Sequence, residues 1–421
     1  MPSPFAKNVL TLMTGTSIAQ AIPLLISPLL TRLYEPETFG ILAIYMSILA
    51  VITVFSTGRY ELAIVLPKRK TDAIHLVILS IYITIFISAI TLLLAYLFGE
   101  YIAALLHSEE IVFWLFWIPI SVLCVGIFQS LNYWCTRNKN FKMIARAKIL
   151  QSIIYAITTI SIGFFGFGTS GLILGLIFSQ IAMALYLLKD NLLNVVLGIK
   201  TINFSKIFYL AKLYKKMPLL NLPNAFVDNM RLSGINILIG NFYTNAILGQ
   251  FSLAWRMVQA PFAILGGSIS QVFFQKLTET KPGYLTHTIY KIISKLFLIA
   301  LIPFTLIFFY AENLFSIVFG EKWVIAGQIA SILTPWLFIN FLTSPISSVF
   351  IVLNKQEIML YFSIIYMLTP LSILYIFKDT EILQILHIIN LSMSILLLIF
   401  ILMVLIYAKK YDKLSLQAKG L

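Results

Sequence analysis

Stretches of roughly twenty apolar residues recur along the chain from near Leu10 to Tyr407, broken by short charged or turn-forming segments. A hydrocarbon layer about 30 Å thick takes roughly 20 residues of helix to cross. Lipid offers no partner to backbone N–H and C=O groups, so a span must be a helix or belong to a closed barrel. The runs are long and lack the alternation of barrel strands, which leaves helices. Only 11% of the 421 residues are charged and 60% are hydrophobic, against about 25% charged in a soluble domain. The whole chain therefore reads as one all-α integral membrane domain.

Charged interruptions mark about twelve helices, centred near residues 20, 48, 86, 122, 158, 180, 228, 256, 300, 340, 367 and 395. With the N-terminus inside, 25 of the 30 basic residues fall in inner segments. Arg32, Lys322 and Lys378 fall outside, and Arg231 and Arg256 lie within spans. That asymmetry puts both termini in the cytoplasm. The same loops account for the net charge of +14 as contact with anionic headgroups, without nucleic acid. Apolar sequence continues through Ala19-Gln20-Ala21, so the first segment reads as a retained helix rather than a cleaved signal. External loops are short, and the longest soluble stretch, about 189 to 216, leaves no room for a separate catalytic domain.

Twelve spans with a long central loop suggest duplication. Leu33-Tyr34-Glu35-Pro36-Glu37-Thr38-Phe39-Gly40 has a counterpart 209 residues on, Phe242-Tyr243-Thr244-Asn245-Ala246-Ile247-Leu248-Gly249, with tyrosine and glycine matched in place. Pro119 and Asn138-Lys139 recur as Pro335 and Asn354-Lys355 at a spacing of 216. Six spans per half make the repeat parallel and divide the chain into 1–200 and 201–421.

An ionised side chain at mid-membrane costs roughly 2.5 to 3.5 kcal/mol to insert, so each one needs a reason. The seventh helix holds Asn221, Asn224, Asp228 and Arg231 on one face. Either Asp228 and Arg231 neutralise each other as an i, i+3 pair between helices, or that face walls a cavity. Arg256 in the next helix has no acid within one turn, so its charge is available to an anionic ligand or to Asp228. The first helix carries Thr16, Gln20, Pro23, Ser27 and Thr31 on one face. That stripe serves either interhelical hydrogen bonding or a cavity, and Pro23 and Pro28 are expected to kink the helix. At the inner end of the second helix, Arg59 and Glu61 border the expected cavity mouth, and Lys68, Arg69 and Lys70 read as a snorkelling anchor.

The four histidines are scattered, and Cys124 and Cys135 have no expected oxidised partner, so neither a metal site nor a disulfide is expected. No glycine-rich nucleotide loop, catalytic triad or acidic cluster is present. The chain is therefore expected to be no enzyme, to use no cofactor and to hydrolyse no ATP.

Three stretches carry a family resemblance. Leu30-Thr31-Arg32-Leu33-Tyr34-Glu35-Pro36-Glu37-Thr38-Phe39-Gly40 resembles the first-loop signature of bacterial polysaccharide-unit (O-antigen/capsule, Wzx-type) flippases of the multidrug/oligosaccharidyl-lipid/polysaccharide exporter superfamily. Arg59-Tyr60-Glu61-Leu62-Ala63-Ile64-Val65-Leu66-Pro67 resembles the family's second-helix exit, and Pro218 to Gln275, including Val272-Phe273-Phe274, the start of its second half. The resemblance implies a MATE-like bundle of two six-helix lobes around a central cation-lined cavity. It implies a multi-pass protein of the bacterial inner membrane. Its implied substrate is an undecaprenyl-diphosphate-linked oligosaccharide, carried to the outer leaflet by alternating access for O-antigen or capsule synthesis. The polymerase and chain-length machinery of that pathway are the implied partners besides membrane lipids.

A diphosphate needs positive charge, and arginine's planar fork suits its oxygens. Arg256, Arg231 and Arg59 are accordingly the expected substrate contacts, Asp228 and Glu61 the expected ion-coupling groups, and Asn221, Asn224, Thr16, Gln20 and Ser27 the expected polar lining. The competing readings are a membrane polysaccharide polymerase or ligase, and a drug/cation antiporter of the same fold. The polymerase should carry a long external loop; the antiporter should show a cavity dominated by acids.

Overall fold

The computed structural model describes residues 4–200, 203–278, 280, 283–353 and 355–417. The expected boundary at 200/201, Asn354 of the repeat, and Lys281 and Lys419 of the inner loops touch or lie outside these, as do the side chains of Val272 to Gln275.

Among the described residues the structure is helical without strands. The first helices are α1 (Pro4–Leu33), α2 (Pro36–Thr53), α3 (Lys70–Leu105), α4 (Glu110–Leu115), α5 (Ile118–Arg137), α6 (Phe141–Phe164) and α7 (Thr169–Lys200). The short α8 (Phe204–Leu213) leads to α9 (Leu222–Phe242) and α10 (Asn245–Thr278). There follow α11 (Leu285–Phe319), α12 (Val324–Ile346), α13 (Val349–Val352), α14 (Gln356–Ile376) and α15 (Ile382–Gln417). Every expected span centre falls inside one of these helices. Ten helical segments among the described residues are long and apolar enough to cross a membrane, and α9 and α10 are not among them. The reason in α9 is compositional: Asn224, Asp228, Asn229, Arg231 and Asn236 interrupt its 21 residues. The chain is a multi-pass membrane protein.

By packing, the chain divides into two compact units, 1–249 and 250–421. In the first, α1 lies against α6, α6 against α7, and α3 and α7 against α5. Proline dictates one of these contacts. Pro23 has no N–H to give the carbonyl of Ala19 four residues back, and Ser152 Oγ of α6 donates to that carbonyl at 2.6 Å. Around it α1 continues as an unbroken helix through Pro23 and Pro28. At its end the Tyr34 hydroxyl donates to Thr159 O at 2.6 Å. Burial pushes that hydroxyl up to about 12, so it stays protonated as the donor. It fits because α6 and α7 present Gly163 and Gly171 where any Cβ would strike the ring.

The first unit also contains α9, which runs antiparallel to α2 along its length. Phe55 meets Phe226 edge-on at 5.9 Å, Asn236 Nδ2 donates to Ser47 Oγ at 2.8 Å, and Gly240 faces Ile44. At the N-terminal end of α2 the start of α10 joins this contact. A Cβ on Gly40 would lie 1.9 Å from Asn245 O, and one on Gly249 would lie 1.8 Å from Pro36 O. In the 209-residue repeat Asn245 is the counterpart of Pro36 and Gly249 of Gly40. The contact is therefore reciprocal, as a two-fold-related pair makes it, and glycine on both sides lets the backbones touch.

The second unit packs α12 against α11 and α15, with α14 beside α15. Its helix ends are closed by side chains from elsewhere in the unit. Gln250 of α10 accepts from Ala326 N at 2.9 Å and donates to Lys322 O at 2.5 Å. Asp412 of α15 accepts from Leu285 N at 3.0 Å, Thr286 N at 2.8 Å and Thr286 Oγ1 at 2.7 Å, capping the first turn of α11. Beyond Pro335, Trp336 N donates to Asn390 Oδ1 at 2.9 Å.

Candidate functional site

Where α2 ends, the chain does not turn directly into α3. Residues 54–59 form tight turns, followed by a 3₁₀ segment, Tyr60–Val65. Gly58 and Arg59 both adopt left-handed backbone, with φ of 58° and 61°. For glycine this costs little, but for arginine it is a strained conformation of order 1 kcal/mol or more. From this turn the Arg59 side chain reaches Glu61, with Nη1 3.4 Å from Oε1.

Glu61 is the buried partner, only 1% exposed, and it also accepts a hydrogen bond from Thr57 Oγ1. Burying a carboxylate beside a cation and a hydroxyl recovers part of its desolvation cost. Arg59 is the less satisfied of the two: among the described residues its Nε is buried with no hydrogen-bond partner, and its contact with Glu61 is long. A guanidinium has five donors, so most of the fork is unspent.

Two other helices of the first unit close on this pair. From α5, Tyr133 lies within electrostatic reach of Glu61 and Arg59, and one turn earlier Gln129 Oε1 accepts from Ser56 Oγ at 3.4 Å. From α9, Asp228 lies within electrostatic reach of Arg231 and Arg59. Asn224 and Asp228 are exposed and Asn221 and Arg231 partly so. In a membrane helix such a polar exposed face needs water or a polar partner. Tyr60, next to Arg59, donates to Ala211 O of α8 at 3.1 Å. Burial pushes its hydroxyl up, which keeps it a donor.

The structure thus brings four of the expected residues, Arg59, Glu61, Asp228 and Arg231, into one electrostatic group, although 167 residues separate Glu61 from Asp228. Asn221 lies one turn before Asn224, and its Nδ2 approaches Met217 Sδ at 3.5 Å. Arg256 belongs to the second unit, partly buried beside Trp255, and forms no ion pair among the described residues. In α1, Ser27 is 1% exposed and spends its hydroxyl on Pro23 O at 2.7 Å. Gln20 differs, because its Oε1 is buried without a partner, and Thr16 is half-buried. Gln129 and Tyr133 were missed from the sequence. A polar stripe of Gln129, Asn132, Tyr133 and Thr136 inside a span was the available signal.

Among the described residues no group of three or more His, Cys, Asp or Glu could hold a metal ion. What the cluster offers is an arginine with spare donors paired with one carboxylate, Glu61, with Asp228 and Arg231 within electrostatic reach, an arrangement that can meet a polyanionic group and its counter-ion.

Residues 29–327 match the model of a family described as polysaccharide biosynthesis protein. The chain is similar to the teichuronic acid biosynthesis protein TuaB of Bacillus subtilis (strain 168), at 22% identity over 311 residues. That match covers 70% of this chain and 60% of the relative, so the chain spans about 60% of the length of the curated relative it matches.

Among solved structures, a multidrug resistance MATE family transporter of the MOP superfamily in an inward-facing conformation aligns over 96% of each chain, with a TM-score of 0.72 at 16% identity. A MATE protein in a bent conformation gives 0.61 at 14% identity, covering 97% of this chain and 96% of that one. A MOP superfamily transporter from Pyrococcus furiosus, whose binding pocket is described as reversed in polarity, gives 0.56 at 15% identity over 98% and 96%. At these identities the likeness shows the fold, which is that of the MOP superfamily.

Proposed function

Because the chain belongs to the polysaccharide biosynthesis protein family, we propose that it is a flippase. Its substrate is an undecaprenyl-diphosphate-linked oligosaccharide unit, carried from the inner to the outer leaflet of a bacterial plasma membrane for a surface polysaccharide such as O-antigen or capsule. The observation that carries this reading is Arg59: a strained, half-paired guanidinium with a buried unpartnered Nε, set beside Glu61 and Asp228.

The diphosphate is the invariant part of such a substrate, and arginine binds phosphate oxygens through parallel N–H donors. In the proposed cycle the headgroup takes the unspent donors of Arg59, with Arg231 adding charge, and Glu61 and Asp228 accept the proton or cation that resets them. Arg256 is proposed as a further cationic contact on the headgroup's path. The reciprocal Gly40–Gly249 contact is the outer closure that must open for release.

Purified protein in liposomes, loaded with a lipid-diphosphate oligosaccharide in one leaflet, tests this by transfer to the other. Transfer of the diphosphate-linked lipid, strongly reduced in Arg59→Ala and partly kept in Arg59→Lys, supports the reading. A deletion strain that accumulates single units already outside would instead identify a polymerase, and transport of cationic drugs without lipid transfer an antiporter.

A further inference from the structure

The segment between α7 and α9 contains α8, whose exposed side is unlike that of a soluble linker. Asn203 starts it, its Oδ1 accepting from Lys206 N at 3.0 Å. Leu210 is buried in the core formed with α3, α5, α6 and α7, and Ile207 is buried as well. The opposite side presents Phe204, Phe208, Tyr209 and Leu213, with Phe208 74% exposed. A helix apolar on both sides needs a second apolar medium.

Charge identifies that medium. Residues 201–216 hold Lys206, Lys212, Lys215 and Lys216 and no acid. Lys206 is held by Asp72 of α3 at 2.5 Å, whereas Lys212, Lys215 and Lys216 are exposed and form no ion pair among the described residues. These three stand at the entry to α9. Lysines flanking exposed aromatics beside a span are complementary to an anionic bilayer surface, where rings sit at the headgroup boundary and ammonium groups meet phosphates.

We propose that α8 is an interfacial helix that docks on anionic phospholipid headgroups of the leaflet facing the basic loops. Its contact with the Arg59 loop, through Tyr60 and Ala211 O, makes leaflet charge a determinant of how that loop is held. The inference requires only that the chain spans a membrane, so its failure leaves the proposed transport untouched.

The test uses the full chain in nanodiscs of phosphatidylcholine with and without phosphatidylglycerol. The buried Cys124 and Cys135 are replaced by Ala, and a nitroxide is placed at Phe208→Cys or, separately, at Ser205→Cys. Interfacial docking gives a Phe208→Cys label that collides with oxygen and with spin-labelled lipid more than with an aqueous nickel reagent. A label reached mainly by nickel shows a water-exposed helix, and one reached by none shows a protein-covered helix; either overturns the proposal. As a second readout, phosphatidylglycerol should raise the Tm of the unlabelled wild type and lose that effect in Lys212→Gln/Lys215→Gln/Lys216→Gln. An equal rise in both proteins would overturn the anionic part of the proposal.

Discussion

Glu61 and Asp412 are both buried carboxylates, one in each unit, and they are held in opposite ways. Asp412 accepts two backbone N–H groups and a hydroxyl at the start of α11, so its lone pairs are spent on parts that do not move independently. Glu61 is held by Thr57 and Arg59 of its own strained turn, and that arginine keeps unspent donors. A carboxylate used as a cap stabilises a helix. One paired with an under-coordinated cation leaves a site where an anion has something to gain. On the proposed function, this difference separates structural from functional charge more sharply than burial does, since both residues are under a tenth exposed.

The comparison breaks most readily at Arg59. Arg59→Ala removes one partner of a buried charge pair, typically about 2 to 5 kcal/mol of binding, so transfer should fall by about 30-fold or more. Arg59→Lys should keep part of it by charge alone. Asp412→Ala should lower stability by about 2 to 4 kcal/mol, because two backbone donors and a hydroxyl lose their acceptor. Thermal unfolding should show this while transfer per folded molecule stays near wild type.

A smaller effect is expected at the reciprocal glycine contact. Gly40→Ala and Gly249→Ala each force a Cβ into backbone and should cost about 1 to 3 kcal/mol. The double variant should cost less than the sum, since both strain one crossing. The smallest is Ser152→Ala, about 1 kcal/mol from the lost bond to Ala19 O. Pro23→Ala restores the N–H for that carbonyl, so Ser152→Ala should cost less in that background, as a double-mutant cycle in Tm would show.

Much of the fold was legible because lipid imposes length and composition on every span, and all twelve expected centres lie in helices. The matches Tyr34/Tyr243 and Gly40/Gly249 were visible in the sequence. That the matched segments touch each other was not, because identity in sequence carries no information about contact. The candidate site was half legible. Scarce in-span charges pointed to Asp228, Arg231 and Arg256, and a motif pointed to Arg59 and Glu61. The convergence of Asp228 and Arg231 with Arg59 and Glu61 needed α9 laid antiparallel on α2, a pairing set by Phe55–Phe226 and Ser47–Asn236 across the chain, and it does not include Arg256. Asp412 was invisible because it sits among Lys409, Lys410 and Lys413, which count among the basic residues of an inner segment. Ser27 looked like cavity lining, yet its hydroxyl bonds Pro23 O within its own helix, a use that spacing does not separate from lining.

The central claim, that the Arg59 cluster grips a diphosphate headgroup, is tested most directly by leaflet-to-leaflet transfer of a lipid-diphosphate oligosaccharide in liposomes carrying equal amounts of folded wild type, Arg59→Ala and Asp412→Asn. The account predicts transfer lost in Arg59→Ala and retained per folded molecule in Asp412→Asn. Wild-type transfer by Arg59→Ala would contradict it.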